Sequence, residues 1–133
     1  MKPNPIRVTT RGVFVPEWGN DSREESDKIR IHFKFLTFAE QQDLLHYDDV
    51  GKTFGYESRL VAKMIERIDN LAVEDESGNV REIKNGQMLV DEPALEKLAL
   101  ETWIHFRGVS ALSDEDKKKS QSASNSGSKE KTE

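Results

Sequence analysis

Three histidines, His32, His46 and His105, carry the side chains with the widest chemical reach, since imidazole is the usual general base and a common metal ligand. They fall on an alternating segment, at the end of a short helical stretch and near the end of a long one, and their spacing matches no metal motif. Three separate structural positions is the plainer reading. A second candidate is Asp48-Asp49 followed by Gly51-Lys52-Thr53. A phosphate-binding loop needs another glycine ahead of four spacer residues, and a calcium loop needs alternating acidic ligands with a distal Glu; neither pattern is present. The segment reads as a connector that approaches a helix. Cysteine is absent, which removes thiolate nucleophiles, disulfides and Cys-based zinc sites. No catalytic residue, metal or cofactor is therefore expected, and the chemistry to look for is binding.

Three features suit binding. Lys28, Arg30, His32 and Lys34 alternate with Ile29, Ile31, Phe33 and Phe35, so one face of a strand is apolar and the other basic. Arg30 and Lys34 are its candidates for contact with an acidic partner, the alternative being an edge strand guarded by charge. Trp18 follows Val13-Phe14-Val15-Pro16-Glu17 in a loop-like setting, where it either anchors a partner or caps the core. Finally, residues 92–107 form the strongest helical pattern. Leu95, Leu98, Ala99, Thr102 and Phe106 share one face, and Leu100, Trp103 and Ile104 widen the apolar surface beyond what one packing layer needs. Leu95, Trp103, Ile104 and Phe106 are its partner-binding candidates.

The remaining pattern supplies the elements that would position these groups. Residues 6–10 and 13–16 read as two short strands around Arg11-Gly12, and 20–27 as an exposed polar loop. Thr37-Phe38-Ala39-Glu40 is a capping box opening a helix to about residue 46. Leu60, Val61, Met64, Ile65 and Ile68 form one stripe of a helix over 57–68. Residues 71–74 and 79–83 flank Asp75-Glu76-Ser77-Gly78 as a hairpin, Lys84-Asn85-Gly86 is a turn, and 87–90 a strand or a pinned loop. Asp91 is the candidate cap of the last helix, Pro93 sits in its first turn and Gly108 stops it. The fold class expected is α+β, with about three helices packed on a small, mostly antiparallel sheet.

With 133 residues, one domain over 1–112 is expected, followed by a disordered Ser/Lys/Glu tail over 113–133 that lacks the apolar groups to repay ordering. A formal charge of −5 argues against a phosphate-neutralising grip on nucleic acid. No apolar run reaches the length of a signal peptide or a membrane span, so a cytoplasmic protein without membrane association is expected.

Taken in order, Pro16-Glu17-Trp18, the strand over 28–35 running into Leu36-Thr37-Phe38-Ala39-Glu40, a middle helix, and a final helix closing on Val109-Ser110-Ala111-Leu112-Ser113-Asp114-Glu115-Asp116-Lys117-Lys118 resemble the tail assembly chaperones of long-tailed bacteriophages. The polar stretch over 19–27 is longer than that pattern. The resemblance implies a non-enzymatic protein of the host cytoplasm that binds the tape-measure protein, and in some cases tail-tube subunits, during tail construction and is absent from the finished particle. Self-association is a further expectation. The alternative is a structural virion component, such as a head-tail connector or tail-completion protein.

Overall fold

In the computed structural model, which describes residues 3–45 and 55–112, the segment with the cleanest alternation becomes the centre of a sheet. Strand β1 (Arg11–Phe14) pairs antiparallel with β2 (Arg30–Lys34), and β2 with β3 (Ile65–Asp69), giving the order β1-β2-β3. Ile29, Ile31 and Phe33 point inward and are buried, while Arg30, His32 and Lys34 face out. Because β2 is central, its charges do not guard a sheet edge, which corrects that reading. A separate hairpin joins β4 (Ala72–Glu74) to β5 (Val80–Glu82). At its turn the Asp75 carboxylate accepts from the amides of Ser77 and Asn79, both at 2.9 Å, and Gly78 takes φ +84°.

Among the described residues four α-helices complete the fold: α1 (Phe38–Asp43), α2 (Tyr56–Met64), α3 (Gly86–Asp91) and α4 (Glu96–Gly108). The protein is α+β, with helices packed on a small antiparallel sheet. The capping box of α1 is formed: Thr37 Oγ1 accepts from the Glu40 amide and Glu40 Oε1 accepts from the Thr37 amide, each at 3.0 Å. The helix is shorter than expected, ending at Asp43. One core joins Ile31 and Phe33 of β2, Ile65 and Ile68 of β3, Val61 and Met64 of α2, Leu89 of α3 and Leu98 of α4. The hydroxyl of the fully buried Thr102 donates to the Leu98 carbonyl at 2.8 Å, so this polar atom is satisfied inside the core.

Several expected elements are corrected. Helix α2 stops at Met64 and the chain enters β3 directly, Ile65 having extended angles of φ −73° and ψ 121°. Opposite β2, His32 faces Arg67 and Phe33 faces Ile65, which leaves Glu66 as the extra residue of a bulge. The bulge spaces the buried Ile65 and Ile68 three residues apart, so a strand imitates a helical stripe. The two strands expected over 6–10 and 13–16 are not separated at Arg11-Gly12, because those two residues lie within β1. Gly12 is needed there for space: a Cβ would stand 2.6 Å from Cζ of the Phe33 ring across the pair. Residues 87–90 are helical, with Asn85 Oδ1 accepting from the Met88 amide as the cap of α3. Asp91 ends α3 instead of capping α4, a 3-10 turn over Pro93–Leu95 intervenes, and Gly108 is the last residue of α4.

The chain divides into two units, Arg11–Val109 and a second formed by Met1–Thr10 with Ser110–Glu133. Within the second, Val8 bridges Leu112 antiparallel and the Thr9 amide donates to the Ala111 carbonyl at 2.6 Å. His46, the segment 48–53 and the tail 113–133 lie outside the described residues.

Packing also gives His105 a distinct role. Its ring stacks on Phe14 at 4.0 Å and 10°, with Phe33 edge-on at 5.9 Å, and desolvation lowers its pKa against the opposing pull of Glu101. The unfolded chain therefore takes up this proton first. Stability should fall as pH drops below the ordinary His value of about 6.5, and level off once the folded pKa is passed. Thermal unfolding of the wild-type chain between pH 7.5 and 5 should show this loss, and His105→Phe should flatten it. Carboxylates such as Asp69, whose pKa is lowered chiefly by the His32 hydrogen bond, contribute only in the lower window, near and below pH 4.

Candidate functional site

The basic strand face is largely neutralised by its own neighbours. Arg30 pairs with Glu25 at 3.0 Å, Arg11 with Glu66 at 2.7 Å, and His32 Nε2 lies 2.7 Å from Asp69 Oδ2. Arg67 Nε completes that cluster, 3.2 Å from the other Asp69 oxygen. Lys34 has no ion pair among the described residues. A face holding Glu25, Glu66 and Asp69 beside its cations offers an acidic partner little net attraction. The broad depression beside β3, about 630 Å³, likewise mixes Arg30, Arg67 and Lys84 with Asp69 and Glu82. Among the described residues, no three His, Cys, Asp or Glu side chains are grouped as a metal ion would need.

Trp18 is half-buried against the core, and its position is fixed by α4: Glu101 accepts from the amides of Glu17 and Trp18 at 2.7 and 3.0 Å. Leu95 and Phe106 are core side chains, 3% and 5% exposed, with the Phe106 ring 4.8 Å from Phe33. Those three residues serve the fold. Trp103 and Ile104 are placed differently. Ile104 is 51% exposed and Leu100 56%, and Trp103, half-buried, lines a cleft of about 340 Å³ bounded by α2, α3 and α4.

This cleft is the candidate site. Its apolar surface comes from Val61, Leu89, Val90, Ala99, Leu100 and Trp103, and Glu57, Glu92 and Glu96 stand among its lining residues. The geometry depends on Gly86, where α3 crosses α2 so closely that a Cβ would lie 2.5 Å from the Ala62 carbonyl oxygen. Trp103 is evident from the sequence, but the contribution of α3 is not, because 87–90 reads equally as a strand or a pinned loop. Leu89 and Val90 could not be placed beside α4 without that helix. The visible signal was the Asn85 cap three residues ahead of Met88.

The fold and the cleft thus define a small α+β protein that presents an apolar, carboxylate-bearing groove between helices. Comparison with family models, curated proteins and solved structures yields no match to this chain. Among the described residues no helix is long and apolar enough to cross a membrane.

Proposed function

We propose that this is a non-enzymatic protein-binding module acting as a phage tail assembly chaperone in the host cytoplasm, where it holds the tape-measure protein, or tail-tube subunits, during tail construction. The observation that supports this reading is the second apolar face of α4: Leu100 and Ile104 are more than half exposed beside the Trp103 cleft, while the opposite face is spent in the core. Helix faces of this kind take up amphipathic segments. A tape-measure chain, long and helical with apolar surface before the tube encloses it, needs such cover.

Replacing exposed side chains separates binding from folding. Leu100→Gln/Ile104→Gln should change stability by about 0.5 kcal/mol or less per site, yet weaken capture of the tape-measure protein at least about tenfold. Co-expression with a tape-measure protein, followed by affinity purification and circular dichroism of each variant, measures both. If neither a tape-measure nor a tube protein co-purifies with the wild-type chain, the chaperone reading falls. Recovery of the protein in purified particles would favour the alternative, a structural virion component.

A further inference from the structure

The groove's chemistry narrows what it accepts. Its lining contains three carboxylates, Glu57, Glu92 and Glu96, and no Lys, Arg or His. Glu92 is engaged by Arg81 at 2.7 Å, whereas Glu57 and Glu96 have no cation partner among the described residues. These two stand in the first turns of α2 and α4, one from each long wall. An apolar lining that also carries two carboxylates without a cation partner among the described residues matches a ligand that is apolar along one stripe and cationic beside it. The walls are helices, so they offer side chains in place of a free backbone edge. That suits a docked helix better than an added strand. At ~1.5 Å per residue the part of α4 that lines the groove, Glu96 to Trp103, gives a wall of roughly 12 Å, the length of about two turns of a helical ligand.

We propose that the α2/α4 groove binds a basic amphipathic helix, selected by Glu57 and Glu96. This rests on the protein-binding reading above and specifies the partner's chemistry. A second copy of the chain is the weaker occupant, because a symmetric contact through this face would bring two carboxylate-bearing grooves together in a chain of net charge −5.

The test uses the full chain and two fluorescent 14-residue helical peptides with the same leucine stripe, one flanked by Lys and the other by Glu. At low salt the Lys peptide should bind at least about tenfold more tightly, with the gap shrinking as salt screens the rim. Glu57→Lys/Glu96→Lys should reverse the preference. Glu24→Lys/Glu76→Lys, which makes the same change in net charge at exposed positions outside the groove, should keep it. Leu100→Gln should weaken both peptides. Equal binding of the two peptides, equal effects of the two double variants, or absence of peptide binding would each overturn the proposal, as would dimers in sedimentation that Leu100→Gln disperses. Tape-measure capture that persists without the charge preference would remove this inference alone. The charge preference without tape-measure capture would remove the chaperone reading and leave the groove's selectivity standing.

Discussion

Gly86→Ala should destabilise the protein by about 2–3 kcal/mol, although the same substitution at an exposed helical position is expected to stabilise by up to about 1 kcal/mol. The sign is set by the crossing of α3 over α2. A Cβ on Gly86 would lie 2.5 Å from Ala62 O, 2.7 Å from its Cα and 2.9 Å from its carbonyl carbon. All three atoms are backbone, so no rotamer change relieves the contact, and Ala62→Gly should not rescue the variant. The helices must separate, pulling Leu89 away from Val61 and Met64 in the shared core. Urea unfolding followed by circular dichroism gives the loss. The groove is bounded by the same two helices, so residual folded Gly86→Ala protein should also bind partner more weakly than its folded fraction predicts. An unchanged urea midpoint would mean that α3 does not rest on α2 at this distance.

The crossing shows how far the sequence could be read. Elements governed by local chemistry were legible: the alternation of Ile29, Ile31 and Phe33, the reciprocal Thr37/Glu40 cap, and the Asp75-to-Gly78 turn all appear as their residues dictate. So was the excess apolar surface of α4, which the structure resolves into a core face and the Leu100/Ile104 face. Elements governed by a partner strand or helix were not. The spacing of Ile65 and Ile68 suits a helix as well as a bulged strand, and only pairing with β2 decides between them. Gly12 and Gly86 both look like turn residues in sequence, yet each is required by what lies across from it: the Phe33 ring in one case and the Ala62 backbone in the other. The groove was half visible for the same reason, its α4 wall encoded locally and its α3 contribution dependent on a tertiary contact.

Asn20 carries the second large expectation, in a segment whose composition suggests nothing but solvent. It is 8% exposed and ties the polar stretch to the start of β2. Its Nδ2 donates to the carbonyls of Pro16 at 2.7 Å and Ile29 at 3.2 Å, and its Oδ1 accepts from the Ile29 amide at 2.7 Å. Ile29 and Pro16 are themselves buried, so these backbone groups have little access to water. Asn20→Ala strands up to three of them at roughly 1–3 kcal/mol each, and partial relaxation should bring the net loss to about 3–4 kcal/mol. Asn20→Asp discriminates this account from simple loss of packing, since it keeps the side chain's shape. The Ile29 amide retains its acceptor, but a carboxylate oxygen now faces two carbonyl oxygens, so the folded state favours the protonated acid and raises its pKa. Relative to the wild-type chain, Asn20→Asp should therefore be more stable near pH 4 than near pH 7, its deficit growing as pH rises through the folded pKa. Thermal unfolding of both variants at the two pH values would decide it: a deficit for Asn20→Asp independent of pH would show that the hydrogen bonds to Pro16 and Ile29 do not hold this segment.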